Sequence, residues 1–295
     1  LAAFNARIHS DTDQPDQKVA AWTRDLLSGN HPTFGVDDFT IVEDTSTGKI
    51  VSATNLISQT WSFAGIPFKV GRPELVGTDP EFRNRGLIRA QFDEIHRWSK
   101  ERGEVLQAIT GIPHYYRQFG YEMCTHLDGW RAGYAPQVPQ LEKDTSESYL
   151  FRPAQPQDAA FIAALYQQGC QRQLLACQMD ETLFRYFISG QDPQNVNRLE
   201  YHIIETLAGE RIGFVAHPGY NWGNGLFSRL FELKQGTPWL KVTPALIRYL
   251  WKTGEEYARA EEKERTCFGF AFDENHPAND VARERLPRIR KPYNW

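Results

Sequence analysis

The sequence predicts a mixed α/β chain, an α+β arrangement in which two domains each build a central mixed sheet flanked by helices. Three observations carry this reading. Strand-like runs alternate with runs of helical period along the whole chain. A stretch rich in Pro, Ser and charge, residues 135–149, interrupts that alternation. After it, a similar order of elements begins again. The 295 residues suffice for two domains of about 100–200 residues each, and 41% hydrophobic residues give each half a core to bury. The expected division is 1–134, a linker over 135–149, and 150–295.

Residues 1–10 and 18–28 read as helices around the polar loop "DTDQPDQ". Because "LAAFNARI" begins in mid-pattern, a further strand is expected upstream of Leu1. "DFTIVED" and "KIVSATNLISQTWSF" flank "TSTG", a hairpin turning at Gly48. After the turn "AGIP", "PFKVGRPELVGT" is a strand ending near Thr78. The period then changes: Ile88, Phe92, Ile95 and Trp98 form a helical stripe, and Gly103 after Arg102 is a favourable stop. "EVLQAITG" reads as a buried strand, "HYYRQFG" as a short helix, and "YEMCTHLDGWRAG" as another strand region. Beyond the linker come strand, turn and helix (149–168), a strand pair turned at Ala208–Gly209, a strand and long helix (226–262), and the strand "CFGFAF".

Net charge is −4, which gives no global attraction to nucleic acid or anionic membranes. No run approaches the roughly 18 apolar residues of a membrane span, and no signal peptide is visible in the first residues. The four cysteines form no CxxC. Cys170 and Cys177, seven apart, are expected to share a helix face as buried thiols. No metal site and a reduced, cytoplasmic setting are expected.

"FRNRGLIR" (82–89) lies between the strand ending at Thr78 and the Ile88–Trp98 helix. A helix N-terminus exposes unpaired N–H groups and the positive end of the helix dipole. Gly86 lets a ligand approach that backbone, amides from Asn84 to Arg89 converge on it, and Arg83, Arg85 and Arg89 add charge-assisted donors. Taken alone, a basic turn of this kind is more often a solvated surface than a phosphate seat.

The wider pattern, "V-x-T-x-P-x-x-R-x-x-G-L", helix, strand, then "Y-x-x-x-G-[FY]" at Tyr116–Tyr121, resembles the GNAT superfamily of acetyl-CoA-dependent N-acetyltransferases. Within it, "PEFRNRGLIRA…YYRQFGYE" looks most like the Eis (enhanced intracellular survival) type, specifically over 70–125 and architecturally after 150. The resemblance implies acetyl-CoA as acyl donor. Arg83, Asn84, Arg85, Gly86, Leu87, Ile88 and Arg89 would hold its pyrophosphate, and Leu75, Val76, Gly77 and Thr78 would present backbone to pantetheine. Tyr116 would return a proton to the CoA thiolate. Where the family has a final Gly or Ala, this chain has Ile88, a mark of the subtype. Glu74 is a candidate base for the attacking amine. In the Eis type a C-terminal carboxylate takes that role within a three-domain chain, so Trp295 is a second, weaker candidate.

A phenol near pKa 10 stays protonated at neutral pH, a thiol leaving group near 8.5 needs modest help, and an amine near 10.4 must lose a proton first. No Cys or Ser is placed as a nucleophile, so direct transfer to a small-molecule or peptide amine is expected. The alternative is a non-catalytic acyl-CoA sensor or adaptor; a third is a different acyl donor. Self-association into a homo-oligomer stays open. His96 reads as surface, His114 as a backbone-satisfied loop residue, and Tyr115 as a bystander. "FDENHPAND" reads as a turn with a cap at Asn279 or Asp280. The second half has "KQGTPWLKVTPAL" where the first has R-x-x-G, and lacks Y-x-x-x-G-[FY]. It is expected to be a degenerate copy that shapes the acceptor cleft or an interface, or that only stabilises.

Overall fold

The computed structural model describes all residues except Pro113, Asp128, Pro292 and Trp295, and the side chains of His126, Leu127, Tyr293 and Asn294 are likewise outside the description. The Trp295 carboxylate therefore falls outside the described residues. In chain order the elements are α1 (Ala2–Ile8), α2 (Gln17–Leu27), β1 (Phe39–Asp44), β2 (Lys49–Phe63), β3 (Ile66–Thr78), α3 (Leu87–Glu101) and β4 (Leu106–Gln107). There follow β5 (His126–Leu127), β6 (Trp130–Tyr134), β7 (Tyr149–Pro153), α4 (Ala159–Cys170), β8 (Leu175–Gln178) and α5 (Glu181–Ser189). The remainder comprises β9 (Leu199–Thr206), β10 (Arg211–Pro218), β11 (Gly225–Ser228), β12 (Leu230–Leu233), α6 (Trp239–Ala260), β13 (Cys267–Phe270), α7 (Pro277–Ala282), β14 (Arg288–Arg290) and β15 (Tyr293–Asn294). This is the mixed α/β class the sequence predicts.

Two compact units result, each assembled from two stretches of chain: Leu1–Met123 with Gln167–Arg198, and Cys124–Tyr166 with Leu199–Trp295. The first unit holds a sheet ordered β1-β2-β3-β4, with β8 also pairing β2. Asp44 closes the β1–β2 turn through Ser46 and Thr47. Ala64 and Gly65 both have positive φ, the geometry that lets a two-residue loop follow the strand twist between β2 and β3. Leu56, Phe92, Ile95 and Ile109 pack together beneath α3. Val19, Leu26, Phe34, Ile57 and Leu75 form a second cluster with α2.

The second unit holds an antiparallel sheet β12-β10-β9-β7 and a sheet β11-β13-β6-β14, in which only β11 and β13 are parallel. Its core gathers Ile204, Val215, Phe231, Leu246, Leu250 and Phe268. Pro238 caps α6 and Pro244 lies within it.

Several expectations change. The stretch expected as a linker belongs to the second unit: Val138 is buried in its core and Glu147 pairs with Arg248 at 2.5 Å. Pro, Ser and charge mark irregular backbone there, not unpacked backbone. "EVLQAITG" contributes only two strand residues, and Val105 is 71% exposed. Cys170 ends α4 while Cys177 lies in β8, so the two share no helix. The cap of α7 is the His276 side chain, which accepts from the Ala278 N–H; Asn279 donates instead to the Asp273 carbonyl. No described helix is long and apolar enough to cross a membrane.

Candidate functional site

The site begins with an irregularity in β3. Asn55 pairs with Glu74 and Ala53 with Gly77, so Leu75 and Val76 face the single residue Thr54. Leu75 takes φ +52°. A bulge of this kind leaves one residue outside the ladder and bends the strand. On its other edge β3 pairs with β4 only at Val70 and Gly71. Among the described residues, the Arg72–Thr78 segment therefore has no strand partner on that side. Leu75, Val76, Gly77 and Thr78 lie on this open edge. Gly77 is packed under α1, where a Cβ would come within 2.5 Å of Ile8 Cγ2.

From Thr78 the chain enters a 3₁₀ turn at Pro80–Phe82, capped by Asp79, whose carboxylate also pairs with Arg7 at 2.8 Å. Asn84 and Gly86 both sit at positive φ, and Gly86 is the N-cap of α3 without a side-chain cap. The first intrahelical bond runs from Ala90 N–H to the Gly86 carbonyl. The amides of Leu87, Ile88 and Arg89 precede it, and a helix supplies no partner for them. A Cβ at Gly86 would meet nothing within 4 Å, so this approach is open. Ile88 packs its side chain against the Phe92 cluster and so does not stand over the turn.

The three arginines are held by backbone, amide and aromatic groups. Arg83 reaches the Thr78 carbonyl (3.3 Å), Arg85 the Glu81 carbonyl (3.0 Å) and the Phe82 ring, and Arg89 the Gln118 Oε1 (3.3 Å) and the Phe119 ring. Among the described residues none of them forms a salt bridge with a carboxylate, so their charge remains available to an anion.

Arg89 thereby joins the helix start to the 3₁₀ turn Tyr115–Phe119. Gly120, at φ +92°, reverses the chain so that the Tyr121 N–H reaches the Tyr116 carbonyl (3.3 Å). Tyr116 stacks on Phe92 (centroids 5.8 Å, 25°) and meets Tyr115 edge-on (5.0 Å). Burial raises its phenol pKa well above the ordinary value, and nearby Tyr115 and Glu74 push the same way. Tyr115 is 36% exposed. Glu74 is ion-paired with Arg72, which also reaches Thr110. Burial pushes the Glu74 carboxyl upward against the pull of Arg72.

Two supports escape the sequence reading. Gln91, 4% exposed, accepts from Ser52 (2.7 Å) and donates to Thr40 Oγ1 (2.7 Å), while Ser52 Oγ also lies 3.1 Å from the Gly77 carbonyl oxygen and 2.8 Å from Thr78 Oγ1. It ties α3 to β1 and β2 and, through Ser52, to β3; its signal was a polar residue inside the Ile88–Ile95 stripe. Arg72 is the other, detectable as a cation two residues before Glu74 on the same strand face. His96, expected at the surface, is half-buried and bonds Tyr121 Oη at 3.3 Å. It sits one helical turn from Phe92, close enough for edge contact with that ring. Among the described residues no group of three or more His, Cys, Asp or Glu is placed to hold a metal.

Residues 5–124 match the family model of the acetyltransferase (GNAT) domain. Members of that family are acetyltransferases. Comparison with curated proteins gives no match. Among solved structures, the chain is similar to a probable N-acyltransferase of Enterococcus faecalis (TM-score 0.60, 14% identity, covering 99% of this chain and 68% of that one). It is also similar to a GCN5-related N-acetyltransferase of Anabaena variabilis (0.61, 13%, 99% and 66%). A third is an N-myristoyltransferase of Saccharomyces cerevisiae with bound myristoyl-CoA (0.59, 14%, 89% and 67%). The chain thus spans about two thirds of each, and at these identities the likeness is one of fold.

Proposed function

We propose that the protein is an acetyl-CoA-dependent N-acetyltransferase of the Eis type, acting in the cytoplasm, with tandem GNAT-like domains of which the N-terminal one is active. The acetyl group passes directly to a primary amine of a small molecule or peptide. The observation that carries this reading is the continuity of the open β3 edge, the uncapped turn at Gly86 and the fixed Tyr116 ring within one compact unit. Pantetheine adds to the edge at Leu75–Thr78 as an extra strand does. The pyrophosphate takes the amides and guanidiniums of 83–89, at the positive end of α3.

In this scheme the neutral amine attacks the thioester carbonyl, a C–N bond forms and the C–S bond breaks. Tyr116 donates its proton to the leaving sulfur, and Glu74, made more basic by burial, receives the proton that the amine gives up. A phenol held well above its ordinary pKa is protonated throughout the working range.

A second reading is a non-catalytic acyl-CoA-binding sensor or adaptor. It is favoured by the ion pair that engages Glu74 with Arg72. Incubation with acetyl-CoA and a panel of polyamines, aminoglycosides and peptides, followed by free-thiol release, separates the two. Release with at least one amine, falling about 100-fold in kcat in Tyr116→Phe, supports the enzyme. CoA binding without release on any amine supports the sensor.

A further inference from the structure

We propose that Gly111 is a positioning residue that sets where the Tyr116 hydroxyl stands. The proposal rests on the reading of Tyr116 as the proton donor. Gly111 follows β4 on the segment beyond Ile109. Its backbone is not in the left-handed region, so glycine is not required there for conformation. What requires it is space. A Cβ at this position would lie 2.2 Å from Tyr116 Cε2, 3.0 Å from Cζ and 3.1 Å from the hydroxyl oxygen.

The ring has little freedom to avoid such a methyl group. Phe92, fully buried, stacks on it at 5.8 Å. Tyr115 abuts it edge-on at 5.0 Å and Tyr121 at 6.1 Å. Gly111 is thus one wall of a slot whose other walls are aromatic rings. Restoring ordinary contact, 3.4 Å or more, means moving the ring edge by about 1 Å, and a misplacement of that size can cost about 100-fold in rate. The nearest atoms a Cβ at Gly111 would meet all belong to Tyr116 and none to the 83–89 turn, so acyl-CoA affinity is expected to stay unchanged.

The experiment is a double-mutant cycle of Gly111→Ala and Tyr116→Phe, reading kcat, CoA affinity and thermal midpoint with whichever amine releases thiol. Gly111→Ala should lower kcat by about 10- to 100-fold with CoA affinity within about 2-fold. In the Tyr116→Phe background it should have little further effect, because residues that act through one group are not additive. Unchanged kcat in Gly111→Ala, or a loss that multiplies fully with that of Tyr116→Phe, overturns the proposal. Full activity in Tyr116→Phe removes the proton-donor reading itself, and this inference with it; that outcome is distinct because it appears without touching Gly111. If Gly111→Ala is too unstable to assay, Phe92→Leu/Gly111→Ala, with a smaller side chain behind the ring, is compared with Phe92→Leu alone. Equal kcat in that pair also overturns the proposal.

Discussion

Gly86 illustrates how one residue combines conformation and charge. Its φ of +76° costs an ordinary L-residue about 1–2 kcal/mol, yet a side chain there meets nothing within 4 Å. Strain and electrostatics are therefore separable by two substitutions. Gly86→Ala should lower stability by about 1 kcal/mol and weaken CoA binding only a few-fold. Gly86→Glu sets a carboxylate before the α3 amides, where the pyrophosphate is proposed to bind, and should weaken CoA at least about 100-fold. Isothermal titration of both variants checks this, and equal affinities for the two would remove the turn from the cofactor site. At Tyr116 the residue type was legible from the spacing to Gly120. The firm hold on its proton was not, because it comes mainly from burial of the ring, against Phe92 among others, with Glu74 adding to it; Phe92 and Glu74 both lie more than 20 residues away in the chain.

At the scale of elements, β3 differs from the strand its sequence suggests. "GRPELVGT" reads as continuous, but the Leu75 bulge and the brevity of β4 open its edge at the place where a ligand can pair. In the second unit, β9 and β10 bring His202 and His217 together with stacked rings (5.3 Å), and His217 Nε2 and Tyr249 Oη lie 2.9 Å apart. Burial lowers both imidazole pKa values, that of His202 to about 4. The unfolded chain then binds more protons than the folded one between about pH 4 and 6.5, so stability rises with pH across that window. It is fully present above 6.5 and lost as the pH falls toward 4. At about 1.4 kcal/mol per pKa unit, His202 alone should cost about 2 kcal/mol between pH 7 and 4.5. Urea unfolding of wild type and His202→Gln at several pH values tests this: the variant should show the shallower pH dependence, and parallel profiles would show that His202 does not carry it.

For the whole molecule, the chain leaves and re-enters each unit. A fragment ending at residue 134 lacks β8, which pairs Thr60–Phe63 of β2, and lacks α5. A fragment starting at 135 lacks β6, the strand between β13 and β14. Neither cut, though each follows the expected domain boundary, should yield a natively packed unit. Dispersed amide spectra from residues 1–134 alone would contradict this. β8 and α5 were missed in the sequence because "LACQ" is too short to show a period and joins its sheet by pairing far along the chain.

The sequence by itself determined the mixed α/β class, the hairpins turned at Gly48 and Ala64–Gly65, the stop of α3 before Gly103 and the turn centred on Gly86. Each is written in residues a few positions apart, through period, glycine conformation or capping. The tertiary structure alone decided that β3 bulges at Leu75, that Gln91 fastens α3 to the sheet, that His96 turns inward to Tyr121 and that each unit draws on two stretches of chain. These depend on partners roughly 20 to more than 100 residues away. A single sequence shows which side chains are available for such contacts, whereas the choice among them is made by competition for space and hydrogen bonds in the packed chain.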